Sequence, residues 1–228
     1  MLIPLRPGEL QRLIPAVATG TQFRVSLGSP QELLQRVMIA TIGGVITLLI
    51  SQGQMTSRWG PFWLVVGVVF LLYVLWGPIL QAGQRNAELR RYPAAALFEG
   101  EVADVKRRER VMDRHEQADK RGQLELVENR RTWMLLELED EEGYLGRIAF
   151  PLEKRHQSIR PGTLIRCLVL SDRKDFSRIS ALSDAWLPGL RMWVGDYPFL
   201  LRPAFEELCQ IRLRRRDRRN NPNDGDFS

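Results

Sequence analysis

The stretch from Trp59 to Leu80, WGPFWLVVGVVFLLYVLWGPIL, contains no charged side chain and decides the architecture. It is long enough to cross a hydrocarbon core about 30 Å thick. Trp59 and Trp63 stand at one end, and Tyr73 and Trp76 at the other. On a straight helix Trp59 and Trp76 are about 25 Å apart, which suits two interfacial aromatic belts. The residues therefore predict a transmembrane helix over 59–80, with these four rings as membrane-interface anchors.

Working outward, a shorter apolar run, Val37 to Ile50, precedes it. Ser29-Pro30-Gln31-Glu32 reads as a capping box with proline at the first helical position. A helix from Pro30 to about Gln52 is about 34 Å long. Leu33 and Leu34 extend its apolar surface past Arg36, whose long stem can snorkel. The two runs together predict a transmembrane hairpin within residues 29–84. Ala40 with Gly44, and Gly43 with Thr47, form small-xxx-small pairs that let helices approach closely. The motif does not say whether the close helix is the second span or a partner's.

Neither apolar run holds an ionisable residue, the usual mark of an ion path or proton relay. Two helices do not enclose a transporter's inverted repeats either. Arg6, Arg12, Arg24 and Arg36 lie before the hairpin, and Arg85, Arg90 and Arg91 after it. The link between the spans carries only Arg58. The excess of arginine predicts both termini on the cytoplasmic or stromal side. No signal- or transit-peptide pattern is read, so insertion without processing is expected.

Residues 1–28 form an N-terminal amphipathic segment. In it Leu10, Leu13, Ile14 and Val17 have helical spacing, with Pro15 interrupting. Two readings stand: a helix in the membrane interface, or one packed on the soluble domain.

After Arg91 the apolar period changes from 3.6 to 2. Candidate strands are Leu97–Lys106, Leu124–Glu128, Thr132–Glu139, Tyr144–Leu152, Thr163–Leu170 and Ser177–Leu182. Asp140-Glu141-Glu142-Gly143 reads as a hairpin and Pro161-Gly162 as a strand start. The fold class expected is membrane α+β: the hairpin, then over residues 93–187 a small antiparallel barrel or sandwich, OB-like or SH3-like. A C-terminal region, 188–228, follows. The mixed-charge stretch Arg107–Arg121 is expected to be a solvated helix or loop.

Pro203 to Leu213 reads as a short surface helix. Arg212, Arg214, Arg215, Arg216, Arg218 and Arg219 follow, opposed only by Asp217, and the last residues are disordered by composition. The net charge is +6. On a tethered chain this cluster points to anionic lipid headgroups or an acidic partner. No stacking aromatics accompany it, so nucleic acid is not expected.

The two cysteines, Cys167 and Cys209, have no paired spacing. His115 and His156 show no metal-ligand pattern. No phosphate loop or nucleophile elbow is present. The sequence therefore implies no catalytic residue, metal, cofactor or small-molecule substrate.

Leu75-Trp76-Gly77-Pro78, Arg90-Arg91-Tyr92-Pro93, Val127-Glu128-Asn129-Arg130, Ser177-Arg178-Ile179-Ser180 and Val194-Gly195-Asp196-Tyr197-Pro198 resemble a two-span membrane protein family of cyanobacteria and chloroplasts. The resemblance runs from Leu2 to about Arg212. Members are often labelled phosphate transporter permeases, which two uncharged spans do not support. Plant relatives serve accumulation of the cytochrome b6f complex in thylakoids. The resemblance implies a non-enzymatic assembly or stability factor for a photosynthetic electron-transport complex, partnered with its membrane subunits. The alternatives are an accessory transporter subunit and an enzyme at the membrane face.

Overall fold

The computed structural model describes the backbone of residues 1–53, 58–118, 124–141 and 143–220. It describes their side chains except those of 112–129, 144–145 and 213–220. The chain divides into a β unit, Met1–Leu13 with Arg91–Ser228, and a helical unit, Ile14–Arg90.

In the helical unit, α2 (Gly20–Leu27) starts from a Thr19–Gln22 capping box. Its Gln22 is tied to α5 (Tyr73–Arg90) by a reciprocal amide pair: Gln22 Nε2 donates to Asn86 Oδ1 at 3.1 Å, and Asn86 Nδ2 donates back to Gln22 Oε1 at 3.0 Å. Both side chains are buried, so the exchange satisfies groups that are costly to leave unpaired. Helix α3 (Pro30–Gly53) begins where expected, with the Glu32 N–H on Ser29 Oγ at 3.3 Å. It is long and apolar enough to cross a membrane.

The second apolar segment differs from the straight helix expected over 59–80. It forms α4 (Gly60–Leu71) and α5, meeting at 69°. The Leu75-Trp76-Gly77-Pro78 motif supplies the cause. The Leu72 N–H still bonds Val68 C=O at 3.0 Å, and then the ladder tightens to Leu75 N–H on Leu72 C=O at 2.9 Å. Trp76 inserts its indole N–H onto Val69 C=O at 2.9 Å, one of the recognised ways a helix kinks. Tyr73 lies edge-to-face on Trp76 at 5.0 Å and against Gly77, where a Cβ would come within 3.2 Å of the ring. Alone, α4 rises only about 18 Å, less than the thickness of a hydrocarbon core.

The β unit is a seven-stranded antiparallel sheet, ordered β4-β3-β2-β5-β6-β7, with β1 beside β2. The strands are β1 (Leu2–Pro4), β2 (Ala94–Ala118), β3 (Leu124–Asp140), β4 (Gly143–Pro151), β5 (Leu164–Ser171), β6 (Ala181–Leu187) and β7 (Met192–Val194). The sheet curls into a half-barrel. Gly146 on β4 approaches β6 so closely that a Cβ would lie 3.0 Å from Leu182 Cδ1. Met134, Leu136, Leu138, Ile148 and Phe150 all point inward, as their alternation requires, and join Phe98, Val102, Ile165, Cys167 and Val169 in the core.

Several expected elements are corrected. Arg107 through Ala118 is neither helix nor loop but the outer half of β2. Leu124–Glu128 and Thr132–Glu139 are one strand, β3, paired with β2 from Glu101↔Glu139 to Ala118↔Leu124. Strands β4 and β5 stop near Trp133 and Glu101, so the remainder is a two-stranded ribbon. Ser177–Ser180 belongs to a loop, and the last long strand begins at Ala181. Strands β1 and β7 were not read from the sequence.

The N-terminal stripe divides. Helix α1 (Glu9–Leu13) stops before Pro15, with Leu10 and Leu13 buried, while Val17 is exposed. Helix α6 (Arg202–Asn220) is longer than expected and carries the arginine cluster. Residues 221–228, expected to be disordered, lie outside the described residues.

Candidate functional site

Ala40, Gly44, Thr47 and Ser51 are the buried positions of α3, one stripe at i, i+4, i+7 and i+11. Gly44, Thr47 and Ser51 pack on α4 of the same hairpin. A Cβ on Gly43 would lie 2.6 Å from the Phe70 ring, and one on Gly44 2.6 Å from Leu71 Cδ2. Reciprocally, a Cβ on Gly67 would lie 2.8 Å from Thr47 Oγ1. The Thr47 hydroxyl donates to Gly43 and Gly44 carbonyls at 2.8 and 2.9 Å, and Ser51 Oγ donates to Gly60 C=O at 3.0 Å. The polar atoms on this face are thus satisfied within the hairpin, as an apolar medium demands.

The rest of α3 and α4 is exposed and greasy. Val37, Met38, Ile39, Ile42, Val45, Ile46, Leu49, Phe62, Leu64, Val65 and Val68 are each at least 40% exposed. Only 17% of the most apolar window of α3 is buried. Arg36, at the charged end, is held by Leu27 C=O at 3.3 Å and Gln81 Oε1 at 2.9 Å.

Of the four anchor rings, Trp59 caps α4 and meets Phe62 edge-to-face at 6.0 Å, and Phe62 meets Trp63 at 5.7 Å. Tyr73 and Trp76 build the bend described above.

Arg212 is not free for a ligand. Its Nη2 reaches both oxygens of Glu9, at 2.8 and 2.6 Å, and so ties α6 to α1. Burial raises the Glu9 pKa, but the Arg6 N–H and the Arg212 guanidinium outweigh that and hold it below the usual carboxylate range. Phe205 and Cys209 seat the same helix, both fully buried. Arg214, Arg215, Arg216, Arg218 and Arg219 lie on the next turns of α6; their side chains are outside those described.

Sequence reading missed two features. Asp184 on β6 is buried; its Oδ1 accepts the Leu200 N–H at 3.0 Å and its Oδ2 is unpartnered, and burial pushes the pKa up to about 7. A groove of about 520 Å³ is lined by residues of the α1 turn, the start of β2 and the β5–β6 loop. Its residues come from three separate stretches of the sequence, with Tyr92 and Pro93 the part that falls in a quoted motif. Among the described residues no group of three metal-ligating side chains converges.

No curated protein and no solved structure matches the chain. Residues 3–216 match one family, which spans the hairpin, the sheet and most of α6, so the chain belongs to the family of unknown function DUF8619.

Proposed function

We propose that the chain is an integral membrane protein whose bent hairpin crosses the bilayer twice and holds the half-barrel at one face, as a non-enzymatic assembly or stability factor for a membrane complex. The single observation that carries the membrane reading is the exposure of α3. A core helix of a soluble protein buries its apolar residues, whereas α3 buries one narrow stripe and leaves a wide apolar girdle.

Chain connectivity supports the topology. Strand β1, before the hairpin, pairs with β2, after it: Leu2↔Phe98, Ile3↔Leu97 and Pro4↔Ala96. The ends of the helical unit therefore leave from and return to one folded unit. Chain folded on one side of a membrane returns to it only after an even number of crossings. The arginines flanking the hairpin favour the cytoplasmic or stromal side. The family resemblance adds the thylakoid, with a photosynthetic electron-transport complex, cytochrome b6f among them, as client. An OB-like or SH3-like barrel is the finer class proposed for the half-barrel itself.

The test is alkaline carbonate extraction of native membranes, followed by crosslinking and affinity purification of the full chain. Retention in the pellet and recovery of membrane-complex subunits is the expected result. Release into the supernatant would overturn the membrane reading, and recovery of no complex subunit would overturn the assembly role.

A further inference from the structure

The open groove of about 520 Å³ on the β unit is within the size range of small-molecule sites. Exposed Arg6 and Lys174 stand on its rim, and half-buried Tyr92 and Phe176 line it with Pro7 and Pro93. Among the described residues, no acidic one lines it.

Both cations sit on stiffened backbone. Arg6 opens a Pro7-Gly8 turn in which Glu9 N–H bonds Arg6 C=O at 3.1 Å and Gly8 takes φ +86°, the signature of a type II turn. The Arg6 N–H is fixed on Glu9 Oε2 at 2.7 Å. Lys174 rides on the β5–β6 loop, which is stapled by its own serines. Ser171 Oγ donates to Arg178 C=O at 2.6 Å, Ser180 Oγ donates to Asp172 Oδ2 at 2.6 Å, and Ser177 Oγ donates to Asp175 Oδ1 at 3.0 Å. Both loop carboxylates near Lys174 are thereby engaged within the loop. Phe176 is held at φ +54°, a left-handed conformation that bulky residues rarely adopt. Strain of this kind persists only where surrounding structure enforces it, and it gathers at ligand clamps.

Four of the residues that line the groove flank the helical unit in sequence. The chain enters the helical unit at Ile14 and leaves it after Arg90, and Leu10, Gln11, Tyr92 and Pro93 all line the groove.

The geometry points to a binding site for the phosphate headgroup of an anionic phospholipid. Arg6 and Lys174 face the phosphate, and the Tyr92 and Phe176 rings cover the glycerol carbons. The site rests on the membrane reading above. None of the described residues of α6 lines it, and it gives the half-barrel a fixed point of contact with the headgroup layer.

The test uses the full chain reconstituted with equal phosphatidylglycerol and phosphatidylcholine, with retained lipid counted by native mass spectrometry. Wild type retains phosphatidylglycerol preferentially. Arg6→Gln with Lys174→Gln lowers that preference about tenfold or more, as expected for losing two headgroup contacts. Arg6→Lys with Lys174→Arg keeps it, and so does truncation after Arg212. Soluble glycerol phosphate in excess leaves it in place. An unchanged preference in the Gln variant, a preference lost only on truncation, or displacement by glycerol phosphate would overturn the lipid site. Carbonate release of wild type would strike the membrane reading as well, whereas a retained but unselective protein strikes the site alone.

Discussion

Gly44 shows how far a single residue reaches. A leucine there must enter space that Leu71 already occupies, 2.6 Å from where the first side-chain carbon would stand. Overpacking of this kind costs about 1–3 kcal/mol, so Gly44→Leu is expected to lower the melting temperature of the purified protein and its accumulation in membranes. Ile46→Leu, on the exposed side of the same helix, is expected to leave both unchanged. Equal behaviour of the two variants in a thermal-shift assay would remove α4 from the contact. The small-residue spacing was legible in the sequence; which helix it served was not, because spacing carries no information about the partner.

Asp184 is the opposite case. Ser183-Asp184 breaks the apolar alternation of β6, which is why the sequence ends a strand at Leu182. The structure continues the strand across an irregularity, where Leu168 N–H bonds Ser183 Oγ at 3.0 Å instead of a ladder carbonyl. The carboxyl is pushed up to about 7 from 3.8, by burial first, against the opposing pull of the Leu200 N–H and Arg202. Below pH about 4 the carboxyl is neutral in folded and unfolded chain alike. As pH rises from there to about 7 the unfolded chain ionises first, so stability falls through that window and stays lower above it. Asp184→Asn keeps an oxygen for Leu200 and cannot ionise. It is expected to raise the melting temperature of the β unit by several degrees at pH 8 and by little at pH 4. A wild-type melting curve flat from pH 4 to 8 would contradict this.

Among the elements, the β2–β3 ribbon and the α4–α5 bend were hidden for different reasons. Arg107 to Arg121 carries mixed charge with little alternation, and where its side chains are described, at Arg107–Arg110, they are exposed, so burial imposes no apolar period there. Strand pairing defines it, through Arg110↔Arg131 and on to Ala118↔Leu124. Among the described residues, the core of the half-barrel draws nothing from beyond Val105 and Met134. Replacing residues 111–130 with Asn-Gly, a two-residue type I′ turn between the paired Arg110 and Arg131, is therefore expected to leave the fold intact. Circular dichroism should show a melting temperature within a few degrees of wild type; loss of cooperative melting would mean the ribbon is part of the folding unit.

The bend lies in sequence that is apolar throughout, and hydropathy is blind to where the backbone ladder breaks. The Trp76 indole on Val69 C=O takes up a carbonyl freed at the turn. Trp76→Phe keeps the ring but leaves that carbonyl unpaired, at a cost of about 1–3 kcal/mol. The expected reading is a lower melting temperature of the helical unit without loss of membrane retention. Unaltered stability would show that another donor takes the carbonyl.

For the whole molecule, the apolar girdle and the arginine flanks were legible from composition and position. The joining of Met1–Leu13 to the β unit was not, since a three-residue strand has too short a pattern to register. That strand is what ties the two ends of the hairpin to one folded unit and so requires an even number of crossings. The native thiols do not obstruct a labelling test. Cys167 and Cys209 are buried, and burial pushes both thiols up, Cys209 to about 12. The most direct measurement is membrane-impermeant maleimide labelling of Gln11→Cys, Thr56→Cys and Lys154→Cys in sealed vesicles of known orientation. The account predicts that Gln11→Cys and Lys154→Cys react from the cytoplasmic or stromal face and Thr56→Cys only from the opposite face. Labelling of all three from one face would contradict it.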